Sequence, residues 1–368
     1  MKIVQVVSYY PPHLGGMENC VKEISERLAK KGHQVEVFAS DIDCNKGKLR
    51  STKNLKIHYL KSWQFAHTPI MPSLFFKLLK ISKDSIMHVH IAQALVPEVV
   101  YLVSKIKKIP YIAHVHGDSR PSGKFGFLLP LYKKLFIKKI LSKAEKVICL
   151  SKDYKQFFNK KYGINESKII VIPNGVSEKF FINKEKKLNK IPNLLFVGRL
   201  SVEKNIPKLI EAISLLKNKV ILHIVGEGEK KEELKKLIFD KRMKIVILHG
   251  KKTGRELIDF YKHADIFLLA SSCEGLPLTL LEAMASRTPI IASNIRGIRE
   301  IIGNVGILIS PPTSENFARA IDNLIEDKKL RNTLSVSGRE KAKGYDWDKI
   351  VEKFENVYRE ALNETNKK

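Results

Sequence analysis

The sequence predicts an α/β protein made of two doubly wound, mainly parallel sheets, and three observations predict it. Short β-branched runs alternate with segments of helical period along most of the chain. The runs are continuously apolar rather than alternating, as strands buried on both faces are. The alternation pauses once near the middle and then restarts, and 368 residues suit two cores of about 150–200 residues better than one.

Residues 3–7 (IVQVV) read as the first strand, followed by the glycine-containing loop PPHLGGMEN. Val21, Ile24 and Leu28 then recur at helical spacing up to a Lys-Lys-Gly stop at 30–32. The next strand is VEVFAS (35–40), and further strands are expected at 56–59, 87–90, 111–115 and 146–150. The rhythm breaks around 169–190, where VIPNGVSEKF carries a Pro-Asn-Gly turn and a lysine-rich stretch follows. A linker at 173–190 is therefore expected between an N-terminal domain (1–172) and a second domain (191–345). The second series runs through NLLFVG (193–198), VILHIVG (220–226), KIVILHG (244–250), IFLLAS (266–271) and PIIAS (289–293). The first three of these end in glycine, which permits close approach to a ligand or a sharp exit. After Ile309 the segment SPPTSEN restarts a helix, and 317–325 is amphipathic. A last helix within 346–368 carries Trp347, Ile350, Val351, Phe354 and Val357 at helical spacing, and is expected to pack back toward the N-terminal domain.

Composition bounds the function. Apolar residues make up 44% and charged residues 28%, which is too hydrophobic for a disordered chain. Lys plus Arg number 66 against 38 Asp plus Glu, a net charge of +28. Such a field suits nucleic acid, an anionic membrane face or a phosphorylated substrate, and it suits equally a chain whose lysines solvate outer helix faces. No nucleic-acid module is legible and aromatics do not interleave with the basic runs, so nucleic acid is not an expected partner. Cys20, Cys44, Cys149 and Cys273 lie far apart, forming neither a metal site nor a disulfide framework, and point to a reducing compartment. The first ten residues read as a strand ended by a polar loop rather than a signal peptide, and no apolar run reaches about 18 residues.

Three clusters carry chemistry. Gly15 and Gly16 lie between the first strand and first helix, where backbone N–H groups can meet a phosphate; alone, they read equally as a tight β–α turn. Arg199 stands just beyond NLLFVG, and Lys204 follows in GRLSVEKNI near the next helix start. A guanidinium fork and an ammonium at a strand end suit a diphosphate leaving group; two surface cations are the other reading. The strongest signal is SSCEGLPLTLLEAMA (271–285). Glu274 falls in the loop after a buried strand with Gly275 beside it, and Glu282 falls eight residues later on the following helix. Both can face one cleft, and carboxylates accept two bonds from vicinal sugar hydroxyls. The N–H groups around Leu278 and Thr279, at the helix start, remain free for a phosphate.

With these motifs in order, the chain resembles the family-four, or group 1, retaining glycosyltransferases of GT-B fold. The matching segments are GGME (15–18), HVHGD (114–118), VIPNGV (171–176), GRLSVEKN (198–205), VGEGE (225–229), the H-A-D of 263–265, and the E-x7-E pair Glu274 and Glu282. They span nearly the whole chain, and the E-x7-E block is the specific one. The resemblance implies two Rossmann-like domains facing across a cleft that holds the donor. It implies Gly16 against the diphosphate, His116 beside the donor sugar with Asp118 nearby, and Arg199 and Lys204 neutralising the departing nucleoside diphosphate. It further implies Glu274 on sugar hydroxyls and Glu282 on the ribose. Segments 225–229 and 248–251, with Gly226, Glu227, Gly250 and Lys251, would border the base.

The implied reaction moves a hexosyl unit with retention from a UDP- or GDP-sugar to a glycan or lipid-linked acceptor, in polysaccharide or glycolipid biosynthesis. No cofactor and no metal are expected, because Asp41-Ile42-Asp43 has D-x-D spacing but follows the second strand, away from the cleft. On the acceptor side, 124–143 (KFGFLLPLYKKLFIKKILSK) and 71–83 (MPSLFFKLLKISK) combine lysines with apolar and aromatic residues as an interfacial helix does; a helix packed on its own sheet is the other reading. The expectation is a cytoplasmic enzyme, peripheral on an anionic membrane face. Two rivals are a glycan phosphorylase-like enzyme and a non-catalytic basic protein that binds nucleotide-sugars or polyanions.

Overall fold

The computed structural model describes residues 1–13, 15–44, 47, 49–65, 68–118, 129–182 and 188–366. The chain divides into two compact units, one of Met1–Asn174 with Trp347–Lys368 and one of Gly175–Asp346.

The first unit contains β1 (Lys2–Val6), β2 (Gln34–Ser40), β3 (Leu55–Leu60), the short pair β4 (Trp63–Phe65) and β5 (Thr68–Ile70), β6 (Ser85–Ile91), β7 (Tyr111–Val115), β8 (Lys146–Cys149) and β9 (Ile169–Val171). Seven of them form one sheet in the order β3-β2-β1-β6-β7-β8-β9, every pair parallel. Continuous burial along β6 and β7 shows why these runs lack alternation: helices cover both faces. One face packs Val4, Val6, Met87, Val89, Ala113 and Val147 onto apolar side chains of the helices Val96–Lys107, Lys138–Lys143 and Lys152–Tyr162. The helix Trp347–Asn366 belongs to this unit. Phe354 and Tyr358 are buried, Arg27 binds Asp348 at 2.8 Å, and Lys31 and His33 bind Glu355 at 3.0 and 2.8 Å.

The second unit holds β10 (Asn193–Val197), β11 (Ile221–Val225), β12 (Val246–Leu248), β13 (Ile266–Leu269), β14 (Ile290–Ser293) and β15 (Ile307–Ile309). Their order is β12-β11-β10-β13-β14-β15, again all parallel. Each unit is thus a Rossmann-like doubly wound sheet whose strand order reverses beside its first strand, the place where such sheets bind ligands.

Several expectations need correction. The break read at 169–190 begins too early, because β9 pairs with β8 and widens the first sheet. The strands β4, β5, β9 and β15 span only three residues each, too few for a periodic pattern to register. The basic segment 71–83 forms only the short helix Leu74–Leu79, with Leu74 and Leu78 turned inward and Phe76 exposed. In 124–143, residues 124–128 lie outside the described residues. From Leu129 to Lys143 the chain is helical, with a π stretch at Lys133–Ile137. Among the described residues, no helix is long and apolar enough to cross a membrane.

Candidate functional site

In the second unit the order reverses between β10 and β13, and the loops leaving their carboxyl ends carry Arg199, Lys204 and Glu274. Two hydrogen bonds join the loops, Ser272 N–H donating to Glu203 O at 2.8 Å and the Asn205 side-chain amide to Ala270 O at 3.2 Å. Lys204 Nζ forms an ion pair with Glu274 Oε1, and Ser271 Oγ donates to the same oxygen at 2.6 Å. Both partners are mostly buried, at 15% and 10% side-chain exposure, so the pair is shielded from bulk water. Arg199 is exposed and has no ion-pair partner among the described residues.

The helix Leu278–Ala285 follows directly. Pro277 precedes it without a side-chain cap, and Leu280 N–H turns back to Pro277 O at 3.2 Å. The N–H groups of Leu278 and Thr279 therefore have no acceptor within the helix. One turn on, Glu282 accepts a 2.7 Å bond from the hydroxyl of the buried Tyr261. Burial raises the Glu282 carboxyl to about 7, while the Tyr261 bond pulls it the other way. Glu274 and Glu282 thus differ in kind: one is neutralised by a lysine, the other is held by a neutral phenol.

Around β11 and β12, glycines meet backbone. Gly226 N–H donates to Gly250 O at 2.8 Å, and a Cβ on Gly226 would lie 1.8 Å from Gly198 O. Its close approach is to the neighbouring loop rather than to an open space. Glu227 is exposed and pairs with Lys231 at 2.8 Å; Lys251 is also exposed. Gly297, absent from the expectations, packs on the catalytic candidate itself: at φ +84° a Cβ there would stand 2.0 Å from Gly275 O and 2.7 Å from Glu274 O.

In the first unit, Gly15 precedes the helix Gly16–Lys30, and a Cβ on Gly15 would collide with the Glu18 carboxylate at 2.1 Å. Glu18 is buried and lies 3.0 Å from His13 Nδ1. A carboxylate in the first turn complements the helix dipole, so the glycine turn already faces an internal anion. Asp118 is engaged as well, binding Lys133 at 2.6 Å and Lys161 at 3.0 Å; burial opposes ionisation, yet the two lysines hold its carboxyl below the usual range.

His116 directly follows β7 as one of four packed imidazoles. His88 and His90 project from one face of β6, and His114 pairs in register with His90. Ring centroids of His114 and His116 are 4.1 Å apart, and those of His88 and His90 are 4.2 Å apart. Burial holds all four neutral, with His116 and His88 lowered to about 3. His90 Nδ1 meets His116 Nε2 at 2.9 Å, and His90 Nε2 meets Gln5 Oε1 at 2.8 Å. His88, His90 and His114 present ring nitrogens within 4.8 Å of one another, the one metal-capable group among the described residues. Both nitrogens of His90 are already bonded within the chain.

The sequence therefore singled out Lys204 and, separately, Glu274 with the helix start beside it; the structure brings the two together. It missed Ser271, Tyr261, Gly297 and the partners of His116. For the last of these a signal existed: H-V-H occurs at 88–90 and again at 114–116, which places imidazoles on one face of adjacent strands. Tyr261 lies 21 residues from Glu282 and carries no such signal.

The family pattern described as "Glycosyl transferases group 1" matches residues 177–341, and that described as "Glycosyltransferase Family 4" matches residues 14–180. The chain is 31% identical over 307 residues to the UDP-Gal:alpha-D-GlcNAc-diphosphoundecaprenol alpha-1,3-galactosyltransferase of Escherichia coli, covering 77% of each chain. It is 29% identical, over 99% of both chains, to an uncharacterized glycosyltransferase of Methanocaldococcus jannaschii. The fold superimposes on the sucrose-phosphate synthase of Thermosynechococcus elongatus with a TM-score of 0.81 at 20% identity, covering 98% of this chain and 99% of that one. With both sheets, the motif order and these similarities in hand, the chain belongs to the group 1 family of GT-B glycosyltransferases.

Proposed function

We propose that this glycosyltransferase moves a hexosyl unit, with retention, from a UDP- or GDP-sugar to a hydroxyl of a glycan or lipid-linked acceptor. The observation that carries the reading is the cluster at the carboxyl ends of β10 and β13: exposed Arg199, the Lys204–Glu274 pair, and the uncapped N–H groups of Leu278 and Thr279. These are donors and positive charge gathered where a diphosphate leaves. Glu282, held by Tyr261, takes the ribose hydroxyls, and Glu274 turns its remaining acceptor capacity to sugar hydroxyls. His116 touches a substrate hydroxyl.

In the reaction the glycosidic C–O bond breaks and its electron pair passes to the diphosphate oxygen, whose growing charge Arg199 and Lys204 offset. The acceptor hydroxyl attacks on the same face and its proton passes to that oxygen, so the step needs no protein base. Electrostatics from Arg199 and Lys204 stand where a metal acts in other transferases, and the reaction is proposed to be metal-independent. The diphosphoundecaprenol named for the Escherichia coli relative supports a lipid-linked acceptor. So does the stretch in which Leu131, Leu135 and Phe136 are exposed among exposed Lys134, Lys138 and Lys139, which suits peripheral contact with an anionic leaflet.

The test is release of nucleoside diphosphate from UDP- and GDP-sugars by the whole chain and by Lys204→Ala and Glu274→Ala, after thermal-shift screening has chosen the donor. Loss of turnover by about 10²-fold or more is expected in each variant. Unchanged turnover in both overturns the site, and a requirement for inorganic phosphate in place of a nucleotide-sugar overturns the reaction.

A further inference from the structure

Beneath the last helix, a chain of side-chain hydrogen bonds runs from Tyr358 to His116. Gln5 Nε2 donates to Tyr358 Oη at 3.2 Å, and Tyr358 Oη meets His88 Nδ1 at 2.7 Å. Gln5 Oε1 faces His90 Nε2 at 2.8 Å, and His90 Nδ1 faces His116 Nε2 at 2.9 Å. The order of the links follows from the fold. Gln5 lies opposite His88 in the β1–β6 register, His90 opposite His114 in β6–β7, and the helix lays Tyr358 over this face of the sheet. Gln5, His88, His90, His114 and Tyr358 are buried with essentially no exposure, so water does not compete for the bonds among them, and His116 at the end of the chain is half-buried.

We infer that Tyr358, Gln5 and His90 are positioning residues that fix the tautomer of His116. A carboxamide oxygen only accepts, so His90 must carry its proton on Nε2. A neutral imidazole with Nε2–H has a bare Nδ1, which can only accept. His116 must then supply the proton at Nε2, and its own Nδ1 is left with an in-plane lone pair. The carboxamide nitrogen, turned to Tyr358, leaves the phenol proton free to go to His88, so one orientation of Gln5 sets the protons of His90 and His116 and agrees with the link to His88. His116 is thereby an acceptor toward substrate. It suits a sugar or acceptor hydroxyl and disfavours a phosphate oxygen, which would need a donor. This part of the inference rests on His116 touching substrate; the fixed tautomer does not.

The buried imidazoles admit a competing occupant. Among the described residues, neither ring nitrogen of His114 has a hydrogen-bond partner, nor does His88 Nε2. A metal ion drawing on His88, His90 and His114 would take a nitrogen of His90 away from Gln5 or His116 and break the chain.

The experiment labels histidine rings with 15N in the full chain and reads the tautomer of His116 without any substrate. The wild type is expected to show a single form, protonated at Nε2. Tyr358→Phe removes the partner of the Gln5 amide nitrogen, and Gln5→Leu removes the link itself. Each is expected to give His116 as a mixture of tautomers, with turnover lower by about 5- to 10-fold at unchanged donor KM. Gln5→Glu, an acceptor toward His90, is expected to restore the Nε2–H form. A wild-type His116 protonated at Nδ1, a tautomer unmoved in both Tyr358→Phe and Gln5→Leu, or stoichiometric zinc in the purified protein each overturns the inference. A tautomer that scrambles while turnover stays unchanged overturns its link to catalysis, and loss of turnover in Lys204→Ala then still stands for the proposed function.

Discussion

At the scale of residues, the proposed donor cluster is organised by unequal treatment of two carboxylates. Glu274 is compensated by an ammonium and a hydroxyl, and Glu282 sits half-buried against the Tyr261 phenol, where loss of water raises it to about 7. If the ionised form binds the ribose, protons compete with the donor below pH 7. Donor KM is then expected to rise as pH falls from 7, approaching tenfold per unit, and Glu282→Gln is expected to flatten that slope in steady-state kinetics. Stability runs the opposite way. The folded value lies above the ordinary 4.5, so the native state binds the proton more tightly and stability falls as pH rises between about 4.5 and 7. Glu282→Gln should therefore raise Tm at pH 8 and leave it nearly unchanged at pH 4, measured by scanning calorimetry.

At the scale of elements, the loops rather than the strands place the chemistry. The loop of Glu274 is fixed from below by Lys204 and from the side by Gly297, which follows β14 and sits where no side chain fits. Gly297→Ala must shift Gly275 or strain a backbone at φ +84°. It is expected to cost about 1–3 kcal/mol of stability and at least tenfold in turnover, read by thermal unfolding and by diphosphate release. A normal turnover with lowered Tm would mean that Gly297 supports the fold and not the position of Glu274. The last helix shows the same division of labour. Its apolar face seats it on the first unit, and its single buried phenol, Tyr358, reaches the Gln5 and His88 side chains.

At the scale of the whole molecule, a charge of +28 is the property that the proposed donor cluster does not use up. Lys134, Lys138 and Lys139 stay exposed beside Leu131, Leu135 and Phe136, whereas Lys133 is drawn inward by Asp118, which also pairs with the exposed Lys161. The two kinds of lysine should behave differently. Replacing Lys134, Lys138 and Lys139 together by Glu is expected to weaken sedimentation with phosphatidylglycerol-containing vesicles by more than about tenfold, given roughly 1 kcal/mol per basic residue near an anionic surface. Wild-type binding should fall with added salt. Replacing Asp118 by Asn should instead lower Tm, since it leaves two lysines without their shared carboxylate.

Two sheets, their parallel strands and the E-x7-E block could be read from the sequence because each is a local pattern: a continuous apolar run, a turn, a helix start. Arg199, Lys204, Glu274 and Glu282 were legible for the same reason, since each stands at a fixed offset from a strand end or helix start. The three-residue strands β4, β5, β9 and β15 were not, because hydrogen bonds to a neighbour define them and period does not. Tertiary structure alone decided who meets whom. It joined Lys204 to Glu274 across the reversal in strand order, set Tyr261 on Glu282, and brought Gln5 and Tyr358, 353 residues apart, into the chain that ends on His116. Sequence spacing fixes the face on which a side chain emerges, whereas its partner depends on strand order and helix seating, which many sequence-distant contacts settle together.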